Sequence, residues 1–108
     1  MKVVEANTKM VREMLNTGKP LLLEFYATWC PHCHRMMSTF EEVAEDLDGK
    51  VSVWRIDGDE NMDLMEELGV EGFPSFYYFE DGNVRQKTAG EMSADALLEE
   101  LELSATVH

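Results

Sequence analysis

Seven residues constrain this chain more than any others: Leu21-Leu22-Leu23-Glu24-Phe25-Tyr26-Ala27, six apolar side chains and one acid in a run of strand length. Side chains alternate between the two faces of a strand, so a run with apolar residues at successive positions needs cover on both faces. Such a strand belongs inside a sheet with helices on either side. Glu24 is the exception, because a carboxylate is costly to bury charged. Either it turns outward, or its proton affinity is raised for a purpose.

Cys30-Pro31-His32-Cys33 follows three residues after the run, and helical periodicity begins there. Met36, Met37, Phe40, Val43, Ala44 and Leu47 recur on one face, with Glu41, Glu42, Glu45 and Asp46 on the other. The reading is strand, turn, amphipathic helix, with two thiols at the turn that can close into a small reversible disulfide. Proline is favoured at the first helical position, so Pro31 places Cys30 at or next to the N-cap. A sulfur there faces unpaired backbone donors and the positive end of the helix dipole, which favour thiolate over thiol. His32, His34 and Arg35 make a small basic spot around it. Cys30 is therefore expected to be the nucleophile, and Cys33, in line with Met36 and Phe40, the more buried, resolving thiol.

Elsewhere the punctuation is regular. Val3 and Val4 suit a short first strand, and Asn7 or Thr8 can cap a helix with Val11, Met14 and Leu15 inward and Gly18 at its end. Val51-Ser52-Val53-Trp54-Arg55-Ile56 reads as a strand, and Leu64, Met65 and Leu68 as the buried side of a helix closed by Gly69. Ser75 to Glu80 and Val84 to Thr88 flank Asp81-Gly82-Asn83, a hairpin signal. Ser93 caps a last helix with Ala94, Leu97, Leu98 and Leu101 inward, and the tail through His108 is expected to be loose. Most of the eight methionines, and the aromatic block Phe76 to Phe79, are expected in the core rather than at a metal or stacking site.

With 108 residues, the chain is expected to form a single domain, residues 1–108. Its 22 Asp and Glu against 9 Lys and Arg give a net charge of −13, which disfavours nucleic acid and anionic membranes. No apolar run approaches a membrane span or a signal peptide, so a cytoplasmic address is expected, or a secreted or periplasmic one if a leader has been removed. Both cysteines lie in one motif, leaving none for structural bridges, which fits a reducing compartment.

Phe25-Tyr26-Ala27-Thr28-Trp29-Cys30, the C-x-x-C pair and Gly72-Phe73-Pro74 some forty residues on together resemble the thioredoxin superfamily. The resemblance covers nearly the whole chain. It implies an α/β thioredoxin fold: a central mixed sheet, parallel core plus C-terminal hairpin, with helices on both faces. It also implies that Glu24 stands where the family carries a buried Asp beneath the second cysteine, as proton acceptor and donor for Cys33. Arg55 falls where the family commonly has a Lys near that acid, although a solvated strand-end charge is an equal reading. A cis peptide is implied at Phe73–Pro74, with Gly90 leaving room for a partner chain. Trp29, Pro31, Phe73, Pro74 and Gly90 would form an apolar rim for extended peptides.

The chain departs from the family between the cysteines, where thioredoxins typically have Gly-Pro and this chain has Pro31-His32. That pair resembles disulfide-forming oxidases. His34 replaces a common Lys, and Ser38 replaces the proline that often bends the helix. The expected activity is thiol–disulfide exchange with protein disulfides or dithiols, with Pro31, His32 and Arg55 tuning a potential more oxidising than thioredoxin's. A disulfide-forming oxidase or isomerase is the alternative. The family implies no organic cofactor, only the Cys30/Cys33 disulfide itself, a thioredoxin-reductase-type recycling enzyme, and a monomer by default. Two other classes compete: a metal-binding module using the cysteines with His32, His34 or His108, and a redox-inert adaptor.

Overall fold

The computed structural model describes residues 2–107, so His108 lies outside the described residues. Five strands form one sheet in the order β1-β3-β2-β4-β5. They are β1 (Val4–Ala6), β2 (Leu21–Tyr26), β3 (Ser52–Asp57), β4 (Ser75–Glu80) and β5 (Asn83–Ala89). The helices are α1 (Thr8–Thr17), α2 (Pro31–Arg35), α3 (Met37–Asp46), α4 (Met62–Leu68) and α5 (Ala94–Glu100), followed by a 3₁₀ turn, Ser104–Val107. The expected mixed architecture is the observed one: β1, β3 and β2 run parallel, and β4 and β5 add an antiparallel hairpin.

β2 is the axis, because it alone is hydrogen-bonded to a parallel neighbour on one side and an antiparallel one on the other. Leu22 faces Phe40, Val43, Phe76 and Leu97, while Leu21, Leu23 and Phe25 face Val11, Ile56, Leu64 and Tyr77. The even positions of β2 thus pack under α3 and α5, the odd ones under α1 and α4. This two-sided burial is the physical reason that its side chains read as a continuous apolar run. Phe76 to Phe79 are buried in the same two layers.

The ends of the elements follow local chemistry. Asn7 caps α1 by accepting the Met10 N–H at 2.9 Å, and Ser93 caps α5 by accepting the Ala96 N–H at 3.1 Å. Gly18 ends α1 in the left-handed conformation. The β4–β5 turn places Asp81 at φ 54° and Gly82 at φ 79°, the doubly positive pattern of a two-residue hairpin.

Several expectations are corrected. The helix after the cysteines is not continuous: it breaks at Met36, whose N–H is shared between the carbonyls of His32 and Cys33 at 3.2 Å each. The break holds without a proline, Ser38 standing two residues on. It also shifts the helical phase, so Met36 is buried while Met37 is 46% exposed. Met62 is exposed too, at 67%. The tail is more ordered than expected as far as Val107: Lys50 Nζ donates to the Thr106 carbonyl at 2.7 Å.

Gly82 generates a stability prediction. A Cβ there would lie 3.0 Å from the Leu15 carbonyl oxygen on a left-handed backbone. Gly82→Ala is expected to cost about 1–3 kcal/mol in urea unfolding, the usual range for such strain.

Candidate active site

Cys30 is the N-cap of α2, with Pro31 at the first helical position. Its Sγ accepts the backbone N–H of Cys33 at 3.2 Å. Burial does not separate the pair as the sequence suggested: both are buried, Cys30 at 2% exposure and Cys33 at 1%. Burial, followed by the hydrogen bond to Cys30, holds the Cys33 thiol well above the ordinary range, so this sulfur retains its proton. Ala27 clusters with both cysteines, and Tyr26 and Phe73 pack against that cluster.

Glu24 lies on the face of β2 that points toward α3, 3% exposed and in register with Arg55 on β3 and Phe76 on β4. Of the two sequence readings, burial is the one observed. Burial raises its carboxyl from the usual 4.5 to about 7; Arg55 lowers it and Glu5 raises it further. Its charge also acts on Cys33, raising the thiol's proton affinity. Beside Glu24 is a cavity of about 30 Å³ lined by Val3, Met37, Phe40, Glu41 and Arg55. Arg55 is not a solvated strand-end charge: its side chain is 21% exposed and its Nε stands 3.9 Å from Glu24 Oε1.

Around the thiols, Trp29 is 66% exposed, with its ring edge-on to Phe73 at 5.9 Å. The Phe73–Pro74 peptide bond is cis. Gly90 donates its N–H to the Pro74 carbonyl at 2.9 Å and has φ 101°, tying the loop after β5 to the proline. Pro31 is exposed, whereas Pro74 is buried, so the rim is built mainly from Trp29, Pro31 and the half-buried Phe73. No backbone hydrogen bond holds Phe73 among the described residues outside the regular elements.

The basic spot is not left free. Glu91, the residue after Gly90, accepts Arg35 Nε on both oxygens at 3.0 and 3.1 Å and lies 2.9 Å from His32 Nδ1. Those bonds hold its carboxyl below the ordinary range. With Nδ1 bare, the His32 ring can accept from Arg35, 2.8 Å away; with Nδ1 carrying a proton, in the neutral or the charged ring, it donates to Glu91. His34 turns away, its Nε2 2.8 Å from the Thr28 carbonyl.

Four residues near the site escaped sequence reasoning. Glu5 and Glu91 reach Arg55 and His32 only through tertiary register and a loop end. Asp59 accepts the Trp29 indole N–H at 2.7 Å from the segment after β3. Gly58 seats the Phe73 ring: a Cβ there would meet ring carbons at 2.4 and 2.6 Å. Only Gly58, in the Asp57-Gly58-Asp59 turn, carried any local signal.

A cysteine pair at a helix N-cap, over a buried acid and beside a cis-proline loop, defines a dithiol domain of the mixed-sheet α/β class. A family model described as thioredoxin matches residues 2–103. The chain is 36% identical over 92 residues to a chloroplastic thioredoxin Y2 of Arabidopsis thaliana, covering 85% of this chain and 55% of that protein. It is 35% identical over 86 residues to a thioredoxin of Pseudomonas aeruginosa, covering 80% of each. A mutant thioredoxin from Halobacterium salinarum superposes with a TM-score of 0.82 at 28% identity, over 94% of this chain and 88% of that one. Chloroplastic thioredoxin z does so at the same TM-score and 29% identity, over 97% and 96%. The chain belongs to the thioredoxin family.

Glu24 generates a pH prediction. An acid whose folded value lies above its unfolded value binds more protons when folded, so stability falls as pH rises through the window between the two. From the usual 4.5 to about 7, the chain should lose on the order of 3 kcal/mol to this group. Glu24→Gln should flatten the decline, leaving the variant more stable than the parent at pH 8 in urea titrations run across that window.

Proposed function

We propose that this chain is a thiol–disulfide oxidoreductase acting on protein disulfides, with Cys30 as nucleophile and Cys33 as resolving thiol. The observation that carries the reading is the Cys30 sulfur at the N-cap of α2, accepting the Cys33 N–H while Cys33 holds its own proton. The chain spans 55% of the length of its Arabidopsis relative and 80% of the Pseudomonas one, so the activity is stated for this domain.

In the reductive direction, the Cys30 thiolate attacks one sulfur of a substrate disulfide. The substrate S–S bond breaks, a mixed disulfide forms, and the second substrate sulfur leaves as thiolate and takes a proton. Glu24, as carboxylate, accepts the Cys33 proton, and the Cys33 thiolate attacks Cys30 Sγ. That step closes the Cys30–Cys33 disulfide and releases the other substrate sulfur as thiolate; the substrate gains two electrons from the dithiol and two protons, one returned by Glu24 and one taken from water. Glu24 suits the role because a group titrating near 7 can both take and return a proton at neutral pH. Trp29, Pro31 and Phe73 supply the apolar surface for an extended substrate segment, the Phe73 backbone being open to pair with it.

The same machinery runs backwards as an oxidase or isomerase. Pro31-His32 supports that second reading, as does 43% identity over 82 residues to a protein disulfide isomerase-like 1-3 of Oryza sativa, of which the chain covers 14%. We place the domain on the reductive side, at a potential tens of millivolts above the ≈ −270 mV of thioredoxin. A thioredoxin-reductase-type enzyme would supply electrons, in the cytoplasm, to a monomer that needs no other cofactor. The absence of further cysteines supports a reducing compartment. Among the described residues, the histidines lend a metal module no support, since His32 faces Glu91 and His34 the Thr28 carbonyl.

Two measurements test this. Cys33→Ser should accumulate a mixed disulfide with a model protein disulfide, and Cys30→Ser should form none; exchange at full rate by Cys30→Ser would overturn the assignment. In glutathione redox buffers, replacing Pro31 by Gly and His32 by Pro together should lower the midpoint, with each 30 mV reflecting about 1.4 kcal/mol. An unchanged midpoint would remove the dipeptide's part in the potential.

A further inference from the structure

A row of charge crosses three strands beneath the thiols. Register sets Glu5 of β1 opposite Arg55 of β3, and Arg55 opposite Glu24 of β2, all on one face of the sheet. Arg55 Nε stands 3.9 Å from Glu5 Oε1 and 3.9 Å from Glu24 Oε1, and it hydrogen-bonds neither. The two carboxylates differ in solvation: the Glu24 side chain is 4% exposed and the Glu5 side chain 55%.

Tyr26 holds the outer half of the row. The guanidinium carbon lies 3.8 Å over its ring centroid, and its hydroxyl donates to Glu5 Oε2 at 2.8 Å. An arginine answering to Glu24 alone would close on it in a forked, charge-assisted pair, the strongest arrangement open to the two groups. The buried acid would then be locked as its carboxylate. We propose that Glu5 is a positioning residue for the buried acid: with Tyr26 it holds Arg55 midway between two carboxylates, which keeps Glu24 able to exchange a proton with Cys33. The inference rests on the role given to Glu24 above.

The groups facing Glu24 are few. Arg55 comes from β3, Glu5 from β1 and Cys33 from α2, while Glu41 of α3 lines the small cavity beside it and accepts the Val3 N–H at 3.3 Å. Neutralising Glu5 acts twice in one direction. It removes a like charge, and it releases the guanidinium toward Glu24. Both favour the Glu24 carboxylate.

The test is a carboxyl NMR titration of Glu24 in Glu5→Gln, a change on the exposed side of an edge strand, paired with single-turnover resolution of a mixed disulfide against pH. The Glu24 midpoint should move toward acid by about half a unit or more, a threefold change in proton affinity. The rising limb of the resolution profile should move with it, and the plateau above it should fall, because the acid has become a weaker base. In an Arg55→Met background the same Glu5 change should move the midpoint far less. A midpoint unmoved by Glu5→Gln, or moved equally without Arg55, would overturn the proposal. Full-rate resolution by Glu24→Gln would instead remove the role of Glu24, leaving the titration to decide on Glu5.

Discussion

The buried carboxyl in an otherwise apolar strand is the constraint on which the proposed chemistry around the thiols depends. Glu24 could be neutralised by pairing or by protonation, and the structure stops between the two: burial pushes its proton affinity up while Arg55, at 3.9 Å, pulls it only partly back. A closer pair would leave a carboxylate too weakly basic for the proton transfer proposed above. No pair at all would leave an acid that stays protonated well above neutrality. The compromise lowers stability, and it is the kind of cost retained where chemistry is done.

Topology brings the other parts to the same end of the sheet. β2 and β3 are parallel, so their carboxyl ends deliver Cys30 and Gly58 to one edge. β4 runs the opposite way beside β2, so the chain entering it, Phe73–Pro74, arrives at that edge too, where Phe25 pairs with Ser75. β5 then returns to it with Gly90 and Glu91. Four segments far apart in sequence therefore converge where the strand direction changes, the place at which open α/β sheets gather their sites.

What the sequence disclosed depended on whether the signal was local. The β2 run, the Cys30 cap, the Asp81-Gly82 turn and the Ser93 cap are each written within a few residues, and each formed as read. The break at Met36 was hidden, because Met36 and Met37 both fit a helical stripe and no proline marks the change of phase. Glu91 sits in an exposed loop whose composition says nothing of Arg35, 56 residues earlier. Glu5 becomes meaningful only when β1 pairs with β3 in one register; a slip of one residue would turn it to the other face. Charged residues in short edge strands are ordinarily solubility devices, so nothing local distinguished this one.

Both cysteines are buried in the same small cluster, and the chain has no other pair to hold it together. Closing so short a loop adds little constraint to an unfolded chain. Whatever makes the disulfide easier or harder to form in the folded protein must then appear, with equal magnitude, as a gap in stability between its two redox forms. Every 30 mV of difference from the unfolded chain's own couple corresponds to about 1.4 kcal/mol. Against a total of roughly 5–15 kcal/mol for a domain of this kind, tens of millivolts are a large share. A change of oxidation state at one turn would thus shift the stability of the whole fold, and the state of the pair could be read from how readily the rest of the chain comes apart.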